Sequence, residues 1–148
     1  MRDHHRLEAW REAREVSRLV IRACQSAWKP WGAAVFGQLQ RSALSVQLNI
    51  AEGASFGRSP TYTRHLGIAY GSAIETGELL ELARDTELLP RAAAESILEH
   101  SRNSQRLLVG LLKRHRPFPP RDGERGTENG EPEKESGEEK GQEGDGGK

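Results

Sequence analysis

One short pattern in the 148-residue chain has the spacing of a catalytic nucleophile. Gly53-Ala54-Ser55-Phe56-Gly57 matches the G-x-S-x-G motif with which many hydrolases present a serine, and His65 and Asp85 would be needed to complete a triad. That motif requires a strand leading into a sharp turn, whereas the residues before Ser55 have the spacing of a helix. We therefore interpret the pattern as a helix end with small residues rather than as a site of serine catalysis.

Metal ligation is the second chemistry to consider. Two-metal sites in helical bundles use Glu-x-x-His on two helices, and no histidine of this chain has an acidic residue three positions before it. His4 and His5 are adjacent near the terminus, where adventitious metal binding is the simpler interpretation, and Cys24 is most simply a small core residue. We expect no metal site and no cofactor. The single cysteine also excludes an intrachain disulfide and favours a cytoplasmic location.

A set of polar residues on two predicted helices is more informative than either motif. If these helices are antiparallel neighbours, their polar groups come together in one layer between them. We interpret them as a hydrogen-bonded network that fixes the helix register, and a general acid/base pair is the less favoured alternative. The residues of this predicted network are Gln38, Arg41, Ser45, Asn49, Glu52 and Glu75.

The formal net charge of zero hides two segments of opposite sign. Residues 1–120 contain 17 Lys and Arg against 12 Asp and Glu, a net charge of +5, whereas residues 121–148 contain 5 against 10, a net charge of −5. The second segment has no apolar side chain larger than proline, so we expect residues 121–148 to be a disordered acidic tail. Such a tail would compete with phosphates for the arginines of the domain.

Four amphipathic helices must position these residues. Apolar side chains recur every three or four positions and predict helices over about 6–28, about 36–57, from Pro60 to about 85, and beyond Pro90 to about His115. Ser59 is the expected N-cap of the third helix, and Gly57 the residue just past the second. Because no segment alternates like a strand, we predict an all-α, antiparallel up-down-up-down four-helix bundle over residues 1–120. The glycines of the third helix, Gly67, Gly71 and Gly77, suggest close approach of a neighbour.

Two blocks of sequence resemble a known family. Gln38, Arg41, Ala43, Ser45 and Val46, followed by Asn49-Ile50-Ala51-Glu52-Gly53, resemble the signature Q-x-x-R-x-A-x-S-[IV]-x-x-N-I-A-E-G. This signature is typical of the four-helix-bundle proteins encoded in intervening sequences of bacterial large-subunit ribosomal RNA genes. Leu66, Ile68-Ala69, Gly71-Ser72 and Glu75 resemble the second block of that family, in the right order and at the right separation.

The resemblance also implies partners. The family is similar to the accessory variability determinant of diversity-generating retroelements, a basic bundle that forms a pentamer and binds nucleic acid and a reverse transcriptase. It therefore implies a homopentamer with RNA or DNA, and a reverse transcriptase, as partners. In this chain His65 stands where the family usually has an aromatic residue, Gly77 replaces a frequent glutamate, and the acidic tail is an addition.

Charge and resemblance together predict a non-enzymatic protein that self-assembles and binds nucleic acid through its phosphate backbone, with little sequence specificity. Arginine, which suits bidentate phosphate contacts, provides 15 of the 17 positive charges in residues 1–120. The alternative is a protein-interaction scaffold, in which Trp28 and Trp31 form a partner surface unless they cap the bundle core. We expect no membrane association. The predicted phosphate-binding residues are Arg58, Arg64, Arg102, Arg106, Lys113 and Arg114.

Overall fold

The structure, a computed structural model, describes residues 3–115. Four long helices follow one another: α1 (Glu8–Ser26), α2 (Ala33–Ser55), α3 (Pro60–Asp85) and α4 (Arg91–His115). Short 3-10 turns precede α1 at His4–Arg6 and α2 at Pro30–Gly32. The predicted acidic tail, residues 121–148, lies outside the described residues, so both its disorder and the predicted domain boundary at residue 120 stay predictions.

Each of the four helices packs against two of the others. Each helix contacts the helix before it and the helix after it along the chain, and α1 also packs against α4. One core cluster joins the beginning of α1 to the end of α2, the beginning of α3 and the end of α4, while a second cluster joins the opposite ends. Successive helices are therefore antiparallel, which confirms the predicted up-down-up-down bundle.

Local sequence signals fix the turn between α2 and α3. Gly57, just past α2, has a φ of +63°, a left-handed conformation that glycine adopts without steric strain. The hydroxyl of Ser59 accepts a hydrogen bond from the Tyr62 N–H at 3.2 Å, and Pro60 occupies the first position of α3. The prediction from the pattern around Pro60 is thus confirmed in detail. Helix α1 is shorter than predicted at both ends, because Arg6 belongs to a 3-10 turn and the helical hydrogen bonding stops at Ala27.

The turn between α3 and α4 has a feature that the sequence did not signal. Glu87 has a φ of +58°, in the region that usually holds glycine or asparagine. The N–H of Leu89 donates to the carbonyl of Ala83 at 3.1 Å, which closes the end of α3 and directs the buried Leu89 side chain into the core. This turn sets the start of α4 against the end of α1.

The glycines of α3 differ in their surroundings. A Cβ at Gly77 would lie 3.1 Å from the Gln105 amide nitrogen of α4, whereas one at Gly67 or Gly71 would meet nothing within 4 Å. The predicted close neighbour is present at Gly77. It is absent within the described bundle at Gly67 and Gly71, because these two residues lie on the outer face of α3.

None of the described helices combines the length and the apolar character needed to cross a lipid bilayer.

Candidate functional site

Four of the six predicted phosphate-binding residues lie at one end of the bundle. Arg58 lies in the α2–α3 turn, Arg64 in the first turns of α3, and Lys113 and Arg114 in the last turn of α4. The Thr63 hydroxyl donates to the carbonyl of His115 at 3.2 Å, which holds these two helix ends together. We call these four residues the basic end. All four are exposed, and none has a carboxylate of residues 3–115 within 4.0 Å.

The other two predicted residues lie elsewhere and have acidic neighbours. Arg102, on the outer surface of α4, makes an ion pair with Glu81 of α3 at 3.5 Å. Arg106 lines a shallow pocket of about 250 Å³ together with Glu8 and Glu12 of α1. The charge of Arg102 is partly neutralised by its pairing with Glu81, whereas Arg106 has no carboxylate of residues 3–115 within 4.0 Å and differs from the basic end in its position.

Several other arginines are also paired. Arg18 bonds to Glu15 at 2.6 Å, and Arg84 bonds to Asp85 at 2.8 Å. The hydrogen bond from Arg18 lowers the pKa of the Glu15 carboxyl, and that from Arg84 lowers the pKa of Asp85. Within residues 3–115, carboxylates therefore pair with some of the basic side chains and leave others without a carboxylate within 4.0 Å.

The predicted polar network lies along the surface between α2 and α3. Gln38 donates a hydrogen bond from Nε2 to the Glu75 carboxylate, which links the two helices. The guanidinium of Arg41 donates two hydrogen bonds, of 3.0 and 3.3 Å, to the side-chain oxygen Oε1 of Gln38. Three of the six residues therefore form one chain of hydrogen bonds from α2 to α3.

A second chain of hydrogen bonds lies further along the same seam. Asn49 donates from Nδ2 to the backbone carbonyl of Ser45 at 2.9 Å and to its hydroxyl at 3.2 Å. The Ser45 hydroxyl lies 2.8 Å from that of Ser72, and Nδ1 of His65 lies 2.9 Å from Oδ1 of Asn49. Glu52 is exposed, and no described side chain hydrogen-bonds to its carboxylate. The structure thus joins Ser45 and Asn49 across the seam and leaves Glu52 outside it.

The G-x-S-x-G pattern forms the end of α2. The Ser55 hydroxyl donates to the carbonyl of Glu52 at 2.6 Å, as serines near helix ends often do. His65 bonds to Asn49 instead of Ser55, and Asp85 is at the opposite end of α3, roughly 30 Å from His65 along a helix that rises 1.5 Å per residue. The three residues of the hypothetical triad are not assembled.

Metal ligands do not cluster in the described part of the chain, where no three His, Cys, Asp or Glu side chains converge on one point. The His5 ring lies 2.8 Å from the Asp3 carboxylate, and His100 donates to Glu12 at 2.7 Å, so these histidines have carboxylate partners. Cys24 is buried in the core, and burial raises the pKa of its thiol to about 11. A thiol with that pKa is neutral and unreactive at physiological pH.

Large apolar side chains are exposed on two of the four helices. On α2 and α3, Leu48, Ile68 and Leu82 are between 43% and 57% exposed, and Leu44 and Ile74 are slightly less so. No such side chain is exposed on the described lengths of α1 and α4. We call the outer surface of α2 and α3, which carries these exposed leucines and isoleucines, the apolar face. Contiguous apolar patches on small proteins often mark protein–protein contacts, whereas single exposed apolar side chains are common.

The two tryptophans between α1 and α2 are also largely exposed. Trp31 is 77% exposed and Trp28 is 57% exposed, although the Trp28 ring packs near Phe36 with centroids 5.9 Å apart. Of the two interpretations left open by the sequence, capping of the core does not describe Trp31. The other interpretation, a partner surface, stays a prediction.

Sequence reasoning missed several residues that the fold brings into contact. His65 and Ser72 extend the polar seam, and the hydrogen bond from His100 to Glu12 ties α4 to α1. Arg22 and Lys29 line a large groove between α1 and α4. Ser72 belongs to the second family block, but no local pattern predicts these contacts, since each of them joins two different helices.

Comparisons with known proteins agree with the four-helix fold. The sequence profile of the 23S rRNA-intervening sequence protein family matches residues 5–110. A similar solved structure is that of a protein of unknown function from the S23 ribosomal protein family of Bacteroides thetaiotaomicron, with 25% sequence identity and a TM-score of 0.65. That match covers 71% of this chain and 98% of the other. No curated protein matches the chain.

Proposed function

The chain belongs to the 23S rRNA-intervening sequence protein family, and we propose that it self-assembles through its apolar face and binds nucleic-acid phosphates at its basic end. The observation that carries the nucleic-acid part is that Arg58, Arg64, Lys113 and Arg114 are exposed and have no carboxylate of residues 3–115 within 4.0 Å. The proposal assigns no catalytic step to the protein. It goes beyond the family description, which names the gene context and no activity.

Phosphate binding follows from the chemistry of these four side chains. A cation that already pairs with a carboxylate must give up that pair before it contacts a phosphate, whereas an unpaired, exposed cation only releases water and counterions. Arginine can also contact a phosphate through two parallel hydrogen bonds. The basic end thus has a lower barrier to phosphate contact than Arg18, Arg84, Arg91 or Arg102, which are paired.

A pair of variants with equal charge change tests this part. Fluorescence anisotropy with a labelled 30-nucleotide RNA would compare R58E/R64E/K113E/R114E with R18E/R84E/R91E/R102E. Both variants change the net charge by −8, so general repulsion is matched. We expect the first to bind at least about tenfold more weakly than the second, since direct phosphate contacts are lost as well. Equal affinities would contradict an assignment to the basic end.

Self-assembly is supported by the position of the apolar face. Burying Leu48 and Ile68 against a second copy would remove apolar surface from water at about 25 cal/mol per Å². The Gln38–Glu75 and Ser45–Ser72 contacts stiffen this seam, so the surface offered to the partner is preorganised. A ring of copies, as implied by the resemblance, requires two different patches on each protomer, and the apolar face supplies one of them.

Light scattering after size-exclusion chromatography tests the assembly. At about 50 µM we expect the wild-type protein to elute as an oligomer and L48E/I68E to elute as a folded monomer. A92E/N103E places the same two negative charges on α4 and should leave the oligomer intact. A monomeric wild-type protein at this concentration would contradict self-assembly.

The second candidate is a protein-interaction scaffold with no physiological nucleic-acid ligand. The exposure of Trp28 and Trp31 favours it, since tryptophan is enriched among residues that dominate binding energies. A reverse transcriptase, implied by the retroelement resemblance, is the partner to test first, by co-purification with the wild-type protein and with W28A/W31A. Retention that depends on the tryptophans, together with no nucleic-acid binding at low salt, would favour the scaffold.

A further inference from the structure

A large groove lies between α1 and α4, near the end of the bundle opposite the basic end. It has a volume of about 1120 Å³ and runs from Leu19 to Lys29 along α1 and from Leu89 to Ile97 on the other side. Small-molecule sites in proteins usually measure about 300–1,000 Å³, so the groove can hold a ligand of that class. Neither the family resemblance nor the basic end accounts for it.

The floor of the groove is aliphatic. Leu19 and Ala23 of α1, and Ala27 just past its end, line one side of the groove, and Ala93 and Ile97 of α4 line the other. The short alanine side chains on both sides leave space between the two helices. No aromatic side chain lines it, so a nucleotide base or another flat ring would find no stacking partner. The floor therefore suits a flexible hydrocarbon chain.

The rim of the groove is basic. Five of the lining residues are Lys or Arg, and two, Asp85 and Glu87, are acidic. Arg18, Arg84 and Arg91 are engaged by carboxylates, and Asp85 is the partner of Arg84. Arg22 and Lys29 have no carboxylate of the described chain within 4.0 Å. Two unpaired cations beside an aliphatic floor complement a ligand that has an anionic head and an apolar body.

We propose that the groove binds a small amphiphilic anion, an acyl chain whose carboxylate or phosphate is held by Arg22 and Lys29. The acyl chain of the ligand would lie along Ala23, Ala27 and Ala93. Its anionic head would accept hydrogen bonds from Arg22 and Lys29. This assignment does not depend on nucleic-acid binding or on the apolar face, since it uses other residues, near the end of the bundle opposite the basic end.

Fluorescence titration with dansyl-labelled undecanoate, below its micellar concentration, tests the proposal on the full-length protein. We expect saturable binding of one probe per chain and displacement by decanoate. Decyltrimethylammonium, which has the same chain with a cationic head, should not displace the probe, and neither should inorganic phosphate, which lacks the chain. Displacement by the cation as effective as that by decanoate would overturn the role of Arg22 and Lys29.

Two variants localise the site. R22E/K29E reverses the unpaired cations and A93F fills the floor, and we expect each to weaken probe binding at least about tenfold. R102E/R106E makes the same charge change on the exposed side of α4 and should bind within about twofold of wild type. Far-ultraviolet circular dichroism verifies that all variants are folded. Wild-type affinity in both groove variants, or no saturable binding by the wild-type protein, would overturn the proposal and favour an acidic amphipathic helix of a partner protein as the occupant.

Discussion

A methyl group on Gly53 would lie 2.7 Å from the Cβ atom of His65. It would also lie 3.1 Å from the Tyr62 ring, so α2 and α3 approach each other at this point to a distance that only glycine permits. The same approach brings His65 Nδ1 to Asn49. The glycine that ends the N-I-A-E-G block is therefore explained by helix packing, and the serine motif that starts at the same residue needs no catalytic explanation.

The Gly53→Ala variant should consequently be destabilised. Overpacking costs about 1–3 kcal/mol, and the helix propensity of alanine returns about 1 kcal/mol of it. We expect a net loss of about 1 kcal/mol in the free energy of unfolding, measured by urea titration. Gly110→Ala is the matched control: its Cβ would meet nothing within 4 Å, so it should gain about 1 kcal/mol. A stability gain at both positions would contradict the close approach at Gly53.

A substitution at Gly71 is expected to change the stability of the bundle and its self-association in opposite directions. Its Cβ would be free of contacts within the described chain, so Gly71→Ala should stabilise the isolated bundle by about 1 kcal/mol. If the apolar face packs against a second copy, the added methyl group lies in that interface and weakens assembly. Sedimentation velocity over a concentration series, together with urea unfolding, measures both effects. A stabilised variant that assembles as tightly as wild type would place the interface away from Gly71.

Ser104 has a buried hydroxyl without a hydrogen-bond partner among residues 3–115. It borders a small cavity of about 10 Å³ between α1, α2, α3 and α4, at the lower limit of the volume that one water molecule needs. Ser104→Ala removes the unsatisfied group and should raise the free energy of unfolding by about 1 kcal/mol. Ser42→Ala is the contrasting variant, because the Ser42 hydroxyl bonds to Thr76 at 3.0 Å, and its removal should destabilise the protein. A loss of stability at Ser104 would reveal a partner for its hydroxyl.

Cys24 makes stability depend on pH in the alkaline range. Burial raises the pKa of the folded thiol from 9.0 to about 11. Between these values the unfolded chain releases the thiol proton and the folded chain keeps it, so the unfolded state gains stability as the pH rises. We expect the free energy of unfolding to fall from pH 9 to pH 11 more steeply for wild type than for Cys24→Ala. Parallel curves would show that the thiol ionises equally in both states.

The sequence was sufficient to predict the bundle because the relevant signals are local. Apolar spacing located the four helices, and Gly57, Ser59 and Pro60 fixed the α2–α3 turn through short-range geometry. The arrangement of the candidate site, in contrast, depends on contacts between helices, which local sequence patterns do not encode. Of the six predicted cations, four lie at one end, Arg102 pairs with Glu81 and Arg106 lines a pocket with Glu8 and Glu12, and that division follows from which helix surfaces meet. The groove beside Arg22 was not predictable either, because it arises from the spacing of α1 and α4.

The salt dependence of nucleic-acid binding tests the central claim most directly. For duplex DNA, the logarithm of the binding constant falls against the logarithm of salt concentration with a slope of about −0.9 per phosphate contacted. We predict that R58Q/R64Q/K113Q/R114Q, measured with a short duplex, has a slope shallower than that of wild type by roughly 3.6 per bound protomer, since four contacts are lost. An unchanged slope in this variant would show that the basic end does not contact the phosphates and would contradict the account.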